Sequence, residues 1–277
     1  MRTPVVLVHF GAHSYVVACL RETAKRNHPL YLIGDPSNEH FAREIPGLRW
    51  IDVRELPPVA EAGQFTSHFV NYSTNPYTYE LNCFLRMFHV RSLLELLGAA
   101  ACFHLDSDCA LLTDIQTFPF QKDDALVVHA DFDNPLRMTA SVHSARLTRD
   151  FLDRFIRTCL EVYVDRSRFD QVSAKLRYHL EHDVPGGLCD MTLYHLVTQD
   201  LAVQDLGRPE GGAVFDHRFG TAEGNELQRQ YRLAEGHKLL SCRQDGLYIH
   251  DVRGPSVRLL SIHFQGDSKR FVGLLNG

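Results

Sequence analysis

Short apolar segments alternate with helical segments along the first half of the chain, and this alternation restricts the possible folds more than any other feature. Val5–His9, Leu30–Ile33 and Leu48–Val53 have the composition of strands, and apolar residues at helical spacing predict a helix over Ser14–Arg26. Strands that follow one another through short connections and helices form a parallel sheet with helices on its faces. We therefore expect an α/β fold with a Rossmann-like mixed sheet flanked by helices.

A long helix and a buried strand follow. Asn75 and Pro76 suit the N-cap and first position of a helix, apolar residues recur at helical spacing behind them, and Gly98 suits the C′ position. The next segment, Ala99–Leu105, is almost wholly apolar, as expected of a central strand covered on both faces. It stops at Asp106, and ligands of open α/β sheets bind just beyond the carboxyl ends of such strands.

The second half of the chain is more mixed and shows no clear domain boundary. The predicted strands are Ala125–Ala130, Met138–His143, Lys238–Cys242, Leu247–Asp251 and Val257–His263, and the predicted helices are Thr148–Arg166, Phe169–His182 and Asp190–Gln199. We expect this part to cover the substrate side of the sheet.

Charge and composition exclude several classes of function. The 277 residues include 29 basic and 34 acidic side chains, a net charge of −5, and no basic stripe that would bind nucleic acid. The strongly apolar stretch Leu93–Leu105 is shorter than a membrane span, and the N-terminus lacks the pattern of a signal peptide. Seven cysteines without a C-x-x-C pair indicate reduced thiols. These features predict a soluble, cytoplasmic protein without a transmembrane segment.

Asp106-Ser107-Asp108 follows the buried strand directly. In a turn, both carboxylates can converge on one cation, and hard oxygen ligands favour Mg²⁺ or Mn²⁺ bridging to substrate phosphates. The alternative is a pair of acids in a solvated turn. The position after a fully apolar strand favours the metal site.

A second group of polar residues lies near the C-terminus. His263, at the end of a predicted strand, could supply a nitrogen ligand, which would favour Mn²⁺. Gly266 would let the backbone approach a ligand closely, and Lys269 would bring a compact positive charge to a phosphate. The alternative is a strand followed by an exposed loop.

Together, the D-x-D after a buried strand and the C-terminal H-F-x-G-x-x-K resemble the GT-A-fold glycosyltransferases, particularly glycosyltransferase family 8. The resemblance covers most of the chain in order, including Arg86 in the helix before the D-x-D and Asp190 after a glycine-rich break. It implies a single GT-A catalytic domain over residues 1–277, with a nucleotide-binding half (1–115) and an acceptor-side half (116–277). It also implies transfer of a sugar from a nucleotide-sugar donor, a UDP-sugar, to a glycan or other hydroxyl acceptor, with retention of configuration. A lipid-linked acceptor would bring the protein to a membrane surface.

The resemblance also implies roles for individual residues. Asp106, Asp108 and His263 would hold Mn²⁺ (or Mg²⁺) on the diphosphate. Gly266 and Lys269 would close over that diphosphate.

The remaining implied roles concern the nucleoside and the sugar. Ser107 would lie near the ribose, and His9, Phe10 and Gly11 together with Asp35 would hold the base and ribose, with Phe10 in a packing role. Arg86 would face the donor sugar or diphosphate, or else form an ordinary ion pair on the helix. Asp190 is the candidate carboxylate on the sugar side, or else an acid that stabilises a helix start. Asp131, Asp133 and Asn134 are further candidates beside it.

Three other functions remain open from the sequence. A phosphatase of the haloacid dehalogenase type would also place acids after an apolar strand, but near the start of its domain. A sugar-phosphate nucleotidyltransferase would require a glycine-rich, basic loop, which residues His9–Ser14 lack. A non-catalytic protein that binds sugar nucleotides would keep the same acids, histidine and lysine.

Overall fold

The computed structural model of the protein describes residues 2–128, 138–224 and 229–276. The helices in these ranges are Ser14–Ala24 (α1), Phe41–Glu44 (α2), Ala60–His68 (α3), Tyr77–Leu96 (α4), Arg149–Tyr163 (α5), Phe169–Glu181 (α6) and Asp190–Asp200 (α7). The strands are Val5–Val8 (β1), Leu30–Gly34 (β2), Leu48–Asp52 (β3), Ala101–Leu105 (β4), Cys109–Leu111 (β5), Ala125–Val128 (β6), Ala140–Thr148 (β7), Gln204–Asp205 (β8), Ala213–Phe215 (β9), Leu233–Ala234 (β10), His237–Lys238 (β11), Leu240–Arg243 (β12), Gly246–Ile249 (β13) and Val257–His263 (β14).

The main sheet has seven strands in the order β3-β2-β1-β4-β7-β6-β8. Strands β3, β2, β1 and β4 are parallel, β7 is antiparallel to both β4 and β6, and β8 is parallel to β6. The predicted α/β fold with a mixed sheet flanked by helices is therefore confirmed. Because β1, β2 and β4 are parallel, the segments that follow them meet at one edge of the sheet.

The helix before β4 confirms one predicted end and corrects the other. Gly98 has a φ of +62°, the left-handed conformation expected at the C′ position of α4. Pro76, expected as the first helical residue, instead occupies the N-cap, because its ψ of 142° is extended and the helix begins at Tyr77.

A smaller sheet lies against the end of the main one. Strand β14 pairs with β13 and β5 antiparallel and with β9 parallel. The chain therefore leaves the main sheet at the end of β4, turns through Asp106-Ser107-Asp108, and enters the smaller sheet as β5. This turn joins two sheets and is not the loop of a hairpin within one sheet.

Apolar side chains fill both faces of the main sheet. One face carries α4, α5 and α7. Phenylalanines of α4 and α5 and Tyr194 of α7 belong to the larger core cluster on this face. The other face carries α1, with Val16 and Leu20 packed on Leu32 and Leu105. The rings of Phe155 and Tyr194 stack at 4.5 Å, and Phe84 of α4 stacks on Phe155 at 6.4 Å.

No helix among the described residues is both long and apolar enough to cross a membrane. The cysteine side chains are free thiols, and Cys19, Cys102, Cys109 and Cys159 are buried.

Candidate active site

The two carboxylates of the D-x-D lie in a tight turn at the carboxyl end of β4. The backbone N–H of Cys109 donates to the carbonyl of Asp106 at 2.9 Å, which closes the turn. The N–H of Asp106 is held by the carbonyl of His143 on β7, also at 2.9 Å. The turn is thus fixed to both sheets, and its two acids have different neighbours.

Asp108 meets the C-terminal residues through the pairing of β5 with β14. In that register His263 lies opposite Cys109, and the N–H of Phe264 donates to the carbonyl of Asp108 at 2.9 Å. The Nε2 atom of His263 lies 3.3 Å from Oδ1 of Asp108, and Nζ of Lys269 lies 2.7 Å from Oδ2. Residues more than 150 positions apart in the sequence therefore form one charged cluster.

The charges in this cluster stabilise one another. Burial raises the pKa of the Asp108 carboxyl, but the hydrogen bonds and positive charges of His263 and Lys269 outweigh burial and hold this pKa well below its usual range. Burial lowers the pKa of Lys269, whereas its hydrogen bond and ion pair with Asp108 raise it, and the net shift is upward. Asp108 is therefore an anion that is held between two donors.

The imidazole of His263 is held in one orientation by its other nitrogen. Nδ1 lies 2.5 Å from the carbonyl oxygen of His217. A carbonyl can only accept, so Nδ1 carries a hydrogen, and Nε2, which donates to Asp108 when no metal is bound, is the atom that a cation would take over. Metal-binding histidines commonly show this arrangement, in which a carbonyl fixes the tautomer and leaves the second nitrogen for the metal.

Arg86 links the other D-x-D carboxylate to Asp190. Its guanidinium lies 2.5 Å from Oδ1 of Asp106 and 2.7 Å from Oδ2 of Asp190. The Arg86 side chain is 20% exposed and that of Asp190 is 7% exposed, so the pairs are shielded from water. Both partners of Arg86 lie outside its own helix, so these ion pairs join α4 to the D-x-D turn and to α7.

Asp190 is the first residue of α7, and its side chain is buried. Burial raises the pKa of its carboxyl, Arg86 opposes that rise, and the net shift is upward. Its Oδ1 also accepts the N–H of Met191 at 2.8 Å. Behind it lies Glu80, which is 1% exposed and accepts a hydrogen bond from Asn75 at 2.8 Å. The Oε1 of Glu80 has no hydrogen-bond partner among the described residues, and nothing in the sequence pattern pointed to Glu80.

The loop after β1 borders the same edge. His9 lies 3.0 Å from the hydroxyl of Ser107 through Nδ1 and 2.9 Å from His13 through Nε2. Burial, assisted by the charge of His13, lowers the pKa of His9 to about 4. A neutral His9 therefore connects Ser107 to the rim of the cleft.

Asp35, after β2, holds this loop in place. Its Oδ2 accepts the N–H of Gly11 at 3.1 Å, where Gly11 has a φ of +91° that favours glycine. Sequence reasoning missed Asn38, whose amide donates to the carbonyls of His9 at 2.8 Å and Gly11 at 3.2 Å. The indole N–H of Trp50 in turn donates to Oδ1 of Asn38 at 2.8 Å. No motif marks these loop-supporting contacts.

A cleft of about 440 Å³ lies beside the D-x-D turn. Its lining includes Phe10, Ser107, Lys269 and the half-exposed Tyr79, together with the D-x-D and Arg86. The ring of Phe10 lies edge-on to His89 at 6.2 Å. The cleft therefore brings both ends of the chain together around the D-x-D.

The remaining predicted site residues differ in what surrounds them. Two groups have ligand atoms within 4.8 Å of one another. One is Asp108, Cys109 and His263, and the other is Glu80, Cys189 and Asp190. Asp106 belongs to neither group and is paired with Arg86. Gly266 has a φ of +61°, and no described heavy atom lies within 4 Å of the place where a Cβ would be. The left-handed backbone at Gly266 favours glycine, and the predicted close approach to a ligand stays a prediction. Asp131, Asp133 and Asn134 lie outside the described residues.

Comparisons with known proteins give distant structural similarities only. No protein-family model and no curated protein matches the chain. Mouse xyloside xylosyltransferase 1 aligns with a TM-score of 0.46 and 9% identity over 78% of this chain and 87% of that one. PaToxG glycosyltransferase aligns with a TM-score of 0.40 and 10% identity over 72% of this chain and 69% of that one. The glycosyltransferase GlyE of Streptococcus pneumoniae TIGR4 aligns with a TM-score of 0.42 and 14% identity over 74% of this chain and 45% of that one. These structural neighbours are glycosyltransferases by name, and each of the TM-scores is below 0.5.

Proposed function

We propose that the protein is a metal-dependent glycosyltransferase that moves a sugar from a nucleotide-sugar donor to a hydroxyl acceptor with retention of configuration. The observation that carries the proposal is the cluster of Asp108, His263 and Lys269, in which the carbonyl of His217 fixes the imidazole tautomer. This cluster lies at the carboxyl edge of the sheet, where α/β proteins bind ligands.

The donor atoms fit a divalent cation of the Mn²⁺ or Mg²⁺ type. Asp108 supplies carboxylate oxygens and His263 supplies Nε2, a combination of oxygen and imidazole nitrogen that suits Mn²⁺. We propose Asp106 as the further ligand, since it lies in the same turn. When bound, such a cation would stabilise the negative charge that develops on the departing nucleoside diphosphate.

Lys269 and Gly266 act on the same side of the reaction. The Lys269 side chain is 33% exposed, and its ammonium already lies in the cleft beside the D-x-D. A fixed positive charge at the leaving group lowers the barrier because it requires little reorganisation during the reaction. Gly266 gives the segment that bears Lys269 its left-handed turn.

The nucleoside would occupy the other end of the cleft. The loop His9–Gly11, held by Asp35 and Asn38, lines this end, and Ser107 presents a hydroxyl that is hydrogen-bonded to His9. We propose that this loop receives the base and that Ser107 lies near the ribose. UDP is the proposed nucleotide.

Asp190 serves the sugar side and favours retention. We propose that its carboxylate, which is held by Arg86 at 2.7 Å beside the D-x-D turn, stabilises positive charge on the sugar ring. An inverting enzyme would need a carboxylate free to take a proton from the acceptor. The diphosphate leaving group would take that proton here. The anomeric configuration of the product, read by NMR, tests this step, and the configuration opposite to that of the donor would refute it.

A carbohydrate fits the exposed end of the cleft as acceptor. Tyr79, 60% exposed, and Asn82 line the cleft on one face of α4 near Arg86. An exposed aromatic ring beside an amide offers an apolar face and hydrogen bonds, which a sugar ring requires. The Tyr79→Ala variant should weaken acceptor use without changing nucleotide binding.

The phosphatase alternative has less support. Asp106, which would be its nucleophile, follows the fourth strand and is held by Arg86 at 2.5 Å. A carboxylate fixed in an ion pair with a shielded guanidinium is a poor nucleophile. Hydrolysis of p-nitrophenyl phosphate with Mg²⁺, lost in Asp106→Asn, would favour the phosphatase.

Isothermal titration of UDP and GDP, with Mn²⁺ and then with EDTA, tests the proposal directly. We expect Mn²⁺-dependent binding of UDP that is lost in Asp108→Asn. Asp123→Asn is the matched control, because the Asp123 side chain is 91% exposed and lies outside the residues that line the cleft. Equal nucleotide affinity in Asp108→Asn and the native protein would refute the metal site. Binding of GDP alone would change the donor and keep the mechanism.

A further inference from the structure

A fully buried ion pair lies behind the candidate metal ligand His263. Nζ of Lys238 lies 2.6 Å from Oδ1 of Asp216, and the two side chains are 1% and 0% exposed. Removing two charges from water costs more than their attraction commonly returns, so a buried pair is weak support for stability in itself. Its hydrogen bonds point to another role.

Asp216 organises the backbone on both sides of His263. Its second carboxylate oxygen accepts the N–H of His263 at 3.2 Å. Its backbone carbonyl lies 3.1 Å from Nε2 of His143, whose ring stacks on His263 at 4.6 Å with an interplanar angle of 15°. The next carbonyl along the chain, that of His217, receives Nδ1 of His263. One short segment therefore fixes the backbone, the ring plane and the tautomer of His263.

Lys238 anchors this segment from the opposite side. Its N–H donates to the carbonyl of Phe219 at 3.0 Å, and the N–H of Phe219 donates to the carbonyl of His263 at 2.9 Å. Its ammonium also lies 4.8 Å from the centre of the Tyr231 ring. Because Lys238 is held by its own backbone, its side chain can fix the position of the Asp216 carboxylate.

We propose that Lys238 is a positioning residue that acts through Asp216 to hold His263 in the orientation that binds a divalent cation. The inference rests on the proposed function for the identity of the ligand and on the described contacts for the positioning. Partners that orient a ligating histidine contribute roughly 10- to 100-fold to metal affinity when they are removed.

The test combines a metal-binding measurement with one that needs no metal. Mn²⁺ affinity is measured by electron paramagnetic resonance for the native protein and for Lys238→Met, and we expect a loss of about 10-fold or more. Two-bond ¹H–¹⁵N spectra of the metal-free protein, recorded at a pH high enough for the His263 ring to be neutral, report whether His263 keeps its remaining hydrogen on Nδ1, and we expect a mixture of tautomers in Lys238→Met. Lys25→Met is the control, since Lys25 also forms an ion pair, with Glu22, on a different element.

A neutral double variant separates positioning from simple stability. Lys238→Met leaves Asp216 as an unpaired buried charge and could fail to fold, whereas Lys238→Met with Asp216→Asn removes both charges. We expect the double variant to regain thermal stability while its Mn²⁺ affinity stays about 10-fold low or lower. Native Mn²⁺ affinity together with a native tautomer pattern in the double variant would overturn the proposal. If the native protein binds no Mn²⁺, the proposed function fails, and the tautomer spectra alone decide the positioning role.

Discussion

Removing the guanidinium of Arg86 should destabilise the protein in a way that depends on pH. Arg86→Met leaves the carboxylates of Asp106 and Asp190 without their shared partner at 2.5 and 2.7 Å. Breaking a buried pair by removing one partner costs about 3–5 kcal/mol. Because Arg86 and Asp106 are each about one-fifth exposed, we expect the lower end, about 3 kcal/mol, at pH 8.

The pH dependence follows from Asp190. Burial already raises the pKa of its carboxyl, and Arg86 is the largest opposing influence, so the variant raises this pKa further. The folded variant then keeps a proton that the unfolded chain, with a carboxyl pKa of about 3.9, has released. The stability lost by Arg86→Met should therefore be largest at pH 8 and become smaller as the pH falls towards 5.

Urea denaturation of the native protein and the variant at pH 5, 6.5 and 8 measures this difference. A loss of about 3 kcal/mol corresponds to a fall in melting temperature of about 6–12 °C for a chain of this size. The double variant Arg86→Met with Asp190→Asn should recover at least about 1.5 kcal/mol, since it removes the more buried charge. Arg86→Lys keeps the charge but not the planar fork and should lose less than Arg86→Met. A loss below about 1 kcal/mol that is equal at every pH, with no recovery in the double variant, would refute the reasoning.

The remaining predictions concern stability at other places. Burial lowers the pKa of His89 to about 4, so the unfolded chain binds the proton first, and His89 alone should lower stability by about 2 kcal/mol between pH 8 and pH 5, in addition to the contributions of His9 and His104. His89→Gln, but not His182→Gln, should reduce the total fall. Gly187 has a φ of +121°, and a Cβ there would lie 2.0 Å from the carbonyl of Tyr72, so Gly187→Ala should cost about 2 kcal/mol or more in urea denaturation. Gly63→Ala, in the open middle of α3, should instead stabilise by about 0.5–1 kcal/mol, and equal effects of the two glycine substitutions would contradict both expectations. Thr148 accepts the N–H of Phe151 at 3.1 Å as the N-cap of α5, and Thr148→Ala should cost about 1 kcal/mol by the same assay.

Local periodicity was sufficient to predict most elements of the fold. Val257–His263 was predicted with its observed ends, and the predicted helix at Phe169 ends one residue early in the structure, at Glu181. The missed elements are those in which periodicity is weak. Strand β5 has only three residues, and α3 buries a single residue, Phe65, so neither leaves a readable pattern.

The candidate site was predictable only in part, because its contacts join distant segments. The sequence and its resemblance to a family identified Asp108, His263 and Lys269, but their meeting depends on the register of β5 against β14. Asn38 and the Lys238–Asp216 pair act through geometry that no motif records. Recognising such contacts requires the folded structure, because the sequence alone does not show whether a lysine is buried or exposed.

The two acids of the D-x-D are not equivalent, although they are two residues apart in one turn. Asp106 lies against α4 and shares Arg86 with Asp190, whereas Asp108 lies against β14 and the segment after it, between His263 and Lys269. Each carboxylate therefore has its own compensating charge, and neutralising one leaves the partner charges of the other in place. Asp106 thus joins the turn to α4 and, through Arg86, to α7, whereas Asp108 joins it to β14 and the C-terminal segment. A turn between two sheets can keep these contacts apart because it presents successive carboxylates to different elements, which a flat strand end within one sheet would not do.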